Sequence, residues 1–214
     1  MLRLSHILSY LTCPRLAYYR LKFGEKSFTE KHAVREIYKS LRRGFDVEWA
    51  RERARAISEN YSEDIFTQAL RKFKFSKSLE DFKALEWDVV YTSEKLGVSM
   101  TIDEIVEYRG KIYPLFVSLN APKDGVWLQD SIRAGIASLV ANFESSLFYY
   151  AYSGEIRFVD TNFSLKRKSF KLIERLKMLE KGFIPERKEG KYCKVCPFLE
   201  DCKNRPETFA SKFL

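Results

Sequence analysis

The spacing of apolar and polar residues predicts a helical first part, a strand-rich middle and a mixed final part. Residues 4–22 predict two short helices, with Pro14 opening the second, where its missing amide hydrogen costs nothing. Residues 29–59 place apolar side chains among charged ones at helical spacing, which predicts a long amphipathic helix interrupted at Gly44. Residues 62–73 predict another helix.

The middle of the chain changes to β-branched and aromatic residues punctuated by glycine-containing turns. This pattern predicts three successive strands of an antiparallel meander, namely KALEWDVVYTSE, GVSMTIDEIVEY and KIYPLFVSLN. The third strand is the most continuously apolar, as expected of a buried central strand. Pro114 weakens the prediction for its first half, because proline cannot donate a ladder hydrogen bond.

Helical spacing returns in the final part of the chain. Residues 125–150 predict a core helix whose apolar face comprises Ile132, Ile136, Leu139, Val140, Phe143, Leu147 and Tyr150. A fourth strand is predicted at GEIRFVDT, followed by a basic amphipathic helix that Gly182 ends. The residues of this helix predicted to face inward are Phe170, Ile173, Leu176, Leu179 and Phe183.

Together these elements predict one α/β (α+β) domain over residues 1–214, a length that suits a single domain. Residues 1–75 form its helical part, residues 76–165 its sheet and core helix, and residues 166–214 a basic helix and a cysteine-bearing tail. No apolar run approaches the length of about 18 residues needed to span a membrane. The N-terminus is too polar for a signal peptide, so we expect a cytoplasmic protein.

The charge is concentrated near the two ends of the chain. Residues 1–60 carry 13 basic and 7 acidic side chains, and residues 166–214 carry 14 and 7, whereas residues 61–165 carry 11 and 15. If the two ends meet, their positive fields merge into one surface that favours a phosphodiester backbone. Lysine- and glutamate-rich surfaces are also common in thermophiles, so the composition equally indicates a thermophilic or archaeal source.

The four cysteines lie at the same two ends. Cys193, Cys196 and Cys202 lie within ten residues of the tail, and Cys13 stands alone near the N-terminus. Such cysteines in an intracellular protein indicate metal binding more than disulfides. Two cysteines separated by two residues can approach one metal, and a cysteine followed by proline is familiar around iron–sulfur ligands. Cys13 is the remaining thiol for the fourth position.

A zinc ion held by the same four thiolates remains an alternative, because structural zinc is often bound by paired cysteines. The two histidines, His6 and His32, are the only nitrogen alternatives as ligands. In that case the chain would be a zinc-stapled protein-interaction module whose basic charge is incidental.

The cysteine pattern and its flanking residues resemble a known family. A Cys-Pro followed by LAYY near the N-terminus, and GFIP followed by YCKVCPFLEDC near the C-terminus, resemble the CRISPR-associated RecB-like iron–sulfur exonucleases. The AddB-type nuclease domains have a similar cysteine arrangement. The resemblance covers nearly the whole chain. It implies a restriction-endonuclease-like PD-(D/E)xK core, a [4Fe–4S] cluster on Cys13, Cys193, Cys196 and Cys202, and action on DNA ends.

The resemblance also implies a site for Mg²⁺ or Mn²⁺, ions that prefer oxygen ligands. It assigns this site to His32 of the early helix and to Asp103 in TIDEIV. The family has a glutamate and a lysine on the next strand, where this chain has Phe116 and Ser118. Phenylalanine cannot bind a metal ion and serine carries no positive charge, so His32 and Asp103 are expected to be the remnant of a metal site.

A glutamine and tyrosine pair of the family's next helix is also missing, and the nearest alignment gives Arg133 and Ala137. We therefore expect a DNA-binding iron–sulfur protein with lost or impaired nuclease activity. It would act as a scaffold or partner in DNA processing such as CRISPR adaptation, with DNA ends or single strands and adaptation proteins as partners. The alternative is an active metal-dependent exonuclease that uses a shifted carboxylate, namely Glu104, Glu107 or Asp124.

Overall fold

The computed structural model describes residues 1–24 and 27–204, so the last part of the predicted cysteine-bearing tail, residues 205–214, lies outside the described residues. The helices are α1 (Leu4–Thr12), α2 (Pro14–Phe23), α3 (Glu30–Arg42), α4 (Val47–Ile57), α5 (Glu63–Lys72), α6 (Leu128–Ala141), α7 (Phe163–Glu180) and α8 (Leu199–Lys203). The strands are β1 (Leu2–Arg3), β2 (Lys83–Ser93), β3 (Val98–Tyr108), β4 (Lys111–Ser118), β5 (Ser145–Tyr150) and β6 (Glu155–Asp160). Short 3₁₀ helices span Lys77–Asp81 and Lys191–Val195.

The six strands form one mixed sheet, and its pairing confirms the predicted meander. Strands β2, β3 and β4 pair antiparallel in sequence, and β5 and β6 form a second antiparallel pair. Strand β4 pairs with β5 in parallel, with α6 as the crossover between them. The two-residue strand β1 pairs in parallel with the start of β3 and is too short to leave a sequence pattern. The predicted α/β class is therefore confirmed.

Both faces of the central strands are buried, because helices cover the sheet on each side. Phe116 and Phe148 belong to a core shared with α1, α2, α6 and α7. Their neighbours along the strands, Leu115, Val117 and Leu147, belong to a second core with α3, α4 and α5. This two-sided burial explains why β4 and β5 read as continuous apolar runs rather than as alternating ones.

The predicted core helix over residues 125–150 is wrong beyond Ala141. Asn142 adopts a left-handed conformation with φ of 60°, which ends α6, and β5 follows with its last five residues buried. Asparagine is one of the few residues other than glycine that adopts this conformation readily. Leu147 and Tyr150 belong to this strand, although their positions also match the helical spacing of α6. The prediction failed because periodicity alone does not distinguish a short buried strand from a buried helix segment.

The predicted inward face of α7 is right at its centre and wrong at its margins. Ile173, Leu176 and Leu179 are buried, whereas Phe170 and Phe183 are 43% and 38% exposed. The helix lies close to α6 at Gly135, where an added Cβ would come within 2.1 Å of the Ser169 Oγ. A side chain at position 135 would therefore push α6 and α7 apart.

Other local predictions are confirmed. Pro14 is the first residue of α2, and the predicted long helix breaks into α3 and α4 at Gly44, whose φ is +80°. Gly182, with φ of +92°, follows the end of α7. Among the described residues, no helix is long and apolar enough to cross a membrane.

Candidate functional site

Cys13 lies at the corner between α1 and α2. Its backbone is extended, with φ of −161°, and its N–H donates to the Ser9 carbonyl at 2.9 Å, so it ends α1 and precedes α2 at the same time. Pro14 enforces this corner because proline disfavours a helical conformation in the residue before it. The thiol is partly buried.

The other three cysteines lie in the short helical turns of the tail. Cys193 is in the 3₁₀ helix Lys191–Val195, Cys196 directly follows that helix, and Cys202 is in α8. The N–H of Gly190 donates to the Cys193 Sγ at 3.4 Å.

All four cysteines line one cavity of about 60 Å³ between α2 and the tail. Burial raises the pKa of the Cys196 thiol, and the proximity of the other three thiols raises it further, against a lowering contact from the Phe198 backbone. The structure thus brings Cys13, near the N-terminus, to the same cavity as the three cysteines of the tail. Their role as ligands stays a prediction.

The tail is held against α2 by contacts that involve no metal. The Arg15 guanidinium donates from Nε to the Pro185 carbonyl at 2.9 Å and from Nη1 to the Cys202 carbonyl at 3.0 Å. Tyr19 donates to the Asp201 carbonyl at 2.9 Å, and its ring stacks on the fully buried Phe198 with ring centroids 5.5 Å apart. These contacts between α2 and the tail hold the walls of the cavity in place.

The spacing of the thiols bears on what the cavity could hold. A single tetrahedral zinc has Zn–S bonds of about 2.3 Å, which draw the four sulfur atoms close together. Within residues 1–24 and 27–204, no three His, Cys, Asp or Glu side chains form a group that could hold a metal ion. Cys13, Cys193, Cys196 and Cys202 line the cavity and would be the residues that hold a zinc ion or an iron–sulfur cluster there.

Asp103 lies about midway along β3 and is 2% exposed. Its Oδ1 accepts from Nε and Nη2 of Arg35 on α3, and its Oδ2 accepts from the Val117 backbone N–H at 2.9 Å. Burial alone would lower the pKa of Arg35, but the ion pair with Asp103 outweighs it, and the pKa is raised. Both carboxylate oxygens of Asp103, the predicted metal ligand, therefore already accept hydrogen bonds. The Arg35 guanidinium supplies the positive charge that pairs with this carboxylate.

The neighbouring strand places the ring of Phe116 beside Asp103. Phe116 lines the same cavity of about 360 Å³ as Asp103 and Arg35, is 2% exposed, and stacks on Phe148 with ring centroids 5.4 Å apart. An aromatic ring packed in the core has no oxygen to offer a cation.

Ser118 joins a buried polar network instead of acting as the family's lysine would. Its hydroxyl donates to Asp130 Oδ1 at 2.9 Å and accepts from Arg133 Nη1 at 3.0 Å, while Asp130 Oδ2 accepts from the Tyr150 hydroxyl at 2.9 Å. Burial raises the pKa of Asp130 and lowers the pKa of Arg133 to about 10. A buried arginine, 3.3 Å from Asp130, thus places a positive charge next to the position of the missing lysine.

His32 lies in the first turn of α3, and its side chain caps the start of that helix. Its Nδ1 accepts from the Thr29 N–H at 3.1 Å and lies 2.9 Å from the Thr29 hydroxyl, and its ring stacks on Phe28. His32 and Asp103 line different cavities, and Arg35 lines both. Among the described residues, they do not come together as a metal-binding group.

The shifted carboxylates are not placed beside Asp103 to complete a metal site. Glu104 is fully buried and accepts from Tyr38 and from Arg42 Nε, the latter at 3.2 Å. Glu107 pairs with Lys83 across the sheet at 3.7 Å, and Asp124 is exposed in the loop before α6.

Arg35, Asp130 and Arg133 were missed by sequence reasoning, although their spacing carried a signal. Arg35 follows His32 by three residues and therefore lies on the same side of α3. Asp130 and Arg133 have the same spacing on α6. Which carboxylate each arginine meets depends on how the helices pack on the sheet.

Comparison with solved structures bears on the fold. The crystal structure of a candidate exonuclease from Eubacterium rectale aligns with a TM-score of 0.53 at 13% identity, over 97% of this chain and 89% of that chain. The protein therefore has a nuclease-like α/β fold. The structure of SSO0001 aligns with a TM-score of 0.38 at 16% identity, over 90% and 93% of the two chains, which is too low to define a fold.

No family model matches the sequence. An uncharacterized protein of Archaeoglobus fulgidus is 51% identical over 214 residues, which is the full length of both chains. The chain belongs to the family of this archaeal protein.

The ion pair between Asp103 and Arg35 provides a test of this site. Asp103→Asn leaves the Arg35 guanidinium without its counterion, so we expect the free energy of unfolding to fall by about 3 kcal/mol. The matched control Glu107→Gln removes a carboxylate from the same strand but from an exposed pair, and should cost less than about 1 kcal/mol. Urea denaturation measures both, and equal losses would contradict a special role for the buried pair.

Proposed function

We propose that this protein binds DNA through a nuclease-like fold that no longer cleaves it, and that the four cysteines hold an iron–sulfur cluster. The observation that carries the proposal is the Arg35 guanidinium on Asp103, beside Phe116. Cleavage of DNA by such a core needs a divalent cation to activate water and neutralise the phosphate. A carboxylate already paired with arginine, beside an apolar ring, is a poor ligand for such a cation.

DNA binding is supported by the contact between the two positively charged segments of the chain. The two basic segments, residues 1–60 and 166–204, come into contact because the tail docks on α2. The nuclease-like fold, shared with a protein described as a candidate exonuclease, points to the same class of ligand. Affinity for the DNA backbone would come from counterion release and would fall steeply with salt.

The cluster is supported by the cavity between α2 and the tail. Four thiols line it, and the contacts of Arg15 and Tyr19 hold its walls in place. A bound [4Fe–4S] cluster would link the N-terminal corner at Cys13 to the tail and stabilise their docking, because the unfolded chain lacks the site.

A scaffold or partner role in DNA processing follows from binding without cleavage. The resemblance of the cysteine pattern to CRISPR-associated exonucleases suggests CRISPR adaptation as the setting, and adaptation proteins as partners. The support for this setting is the similarity of the cysteine motif to that of CRISPR-associated exonucleases, together with the nuclease-like fold.

The cluster is tested by metal analysis after anaerobic purification. We expect a brown protein with about four irons per chain, as a [4Fe–4S] cluster contains. Cys13→Ser should reduce the iron content, whereas Thr12→Ser, at a neighbouring residue that lines the same cavity, should leave it unchanged. One zinc per chain without iron would contradict the proposal and favour the zinc-stapled interaction module.

DNA binding and cleavage are tested separately on single-stranded and duplex DNA. We expect affinity that weakens steeply as salt rises, and no cleavage with Mg²⁺ or Mn²⁺. The absence of any affinity at low salt would contradict DNA binding. Metal-dependent cleavage that disappears in Asp103→Ala would contradict the loss of activity and favour the active exonuclease.

A further inference from the structure

Three cavities of about 360, 490 and 240 Å³ share one lining residue, Lys31 of α3. We call their combined lining the Lys31 groove. The first cavity contains Asp103 and Arg35, the second contains Trp127 at the start of α6, and the third extends along α1 to Gln129. The groove therefore passes the position of the predicted metal site.

The charge of the Lys31 groove is strongly positive. Among the residues that the structure describes, the carboxylates lining it are Asp103 and Asp130. Its cations are Arg3, Arg20, Lys31, Arg35 and Arg133. Arg35 neutralises Asp103 and Arg133 lies 3.3 Å from Asp130, so among the described residues no carboxylate of the groove lining remains to pair with Arg3 or Lys31.

Lys31 is the central cation of this set. Its side chain is partly buried, and in the part of the chain that the structure describes it has neither a hydrogen bond nor an ion pair. Arg35 keeps N–H groups beyond the two that meet Asp103, since a guanidinium has five donors. The groove thus offers donors and positive charge to an anion without a metal ion.

One end of the groove carries an exposed aromatic ring. Trp127 is 50% exposed, and its Nε1 donates to the Asn120 carbonyl at 2.6 Å, which fixes the indole. A fixed, exposed indole next to a cationic cavity has the features of a platform on which an unpaired base stacks.

We propose that the Lys31 groove binds the terminal phosphate monoester of a nucleic-acid strand without a divalent ion, with the adjacent base stacked on Trp127. The inference rests on the proposed DNA binding and specifies its ligand. A terminal phosphate carries a charge of about −1.5 to −2 at pH 7, whereas an internal phosphodiester carries a single negative charge. The cation excess of the groove matches the terminal group better.

The inference is tested with single-stranded oligonucleotides that carry a 5′-phosphate, a 3′-phosphate or only hydroxyl ends. Fluorescence anisotropy in the presence of EDTA measures their affinity for the full chain. We expect at least one phosphorylated end to bind about tenfold more tightly than the hydroxyl strand, the gain of one charge-assisted hydrogen bond.

Lys31→Gln should abolish this preference. Lys111→Gln, which removes an equal charge from an exposed position outside the groove, should preserve it. Thermal denaturation confirms that both variants are folded. Equal affinity for all ends, or a preference that requires Mg²⁺, would overturn the inference while leaving DNA binding intact. A failure of every oligonucleotide to bind would overturn the proposed function as well.

Discussion

The ion pair between Arg35 and Asp103 determines how the candidate site is interpreted. A carboxylate that is 2% exposed needs a partner, because burying an unpaired charge is very costly. In a nuclease a divalent cation supplies much of that charge, and here a guanidinium from α3 does so. Since one positive partner satisfies the carboxylate, the same fold can persist without a bound metal. Phe116 and Ser118 of β4 lie near this pair, Phe116 in the same cavity as Asp103 and Ser118 bonded to Asp130 and Arg133.

The two ends of the chain meet where the tail docks on α2. Arg15 and Tyr19 bind the tail through its carbonyl groups, and the four thiols surround the cavity that results. A cluster at this position would lock an arrangement that the protein already forms. The basic tail and the basic N-terminal helices are thereby held together, which is the basis for the proposed binding of DNA.

Much of the fold could be predicted from the sequence because strong local signals coincide with the elements. Pro14, Gly44 and Gly182 mark helix boundaries, and the meander follows from β-branched segments between turns. Strand β5 could not be predicted, since both of its faces are buried and its apolar residues continue the helical spacing of α6 past Asn142.

The candidate site was predictable only in its residue types. The sequence predicted that Asp103 is accompanied by Phe116 and Ser118 instead of a glutamate and a lysine. It did not predict that Arg35 and Arg133 would supply positive charge nearby, because that depends on the packing of α3 and α6 against the sheet. The helical spacing of these arginines was visible in the sequence, but the strand residues that they meet were not.

The central claim is that arginine has taken the place of the catalytic metal. Titration of the protein with Mn²⁺, followed by the electron paramagnetic resonance signal of the free ion, tests it most directly. The account predicts that the added Mn²⁺ remains free, with no saturable site on the chain. One Mn²⁺ bound per chain, and lost when Asp103 is replaced by alanine, would contradict it.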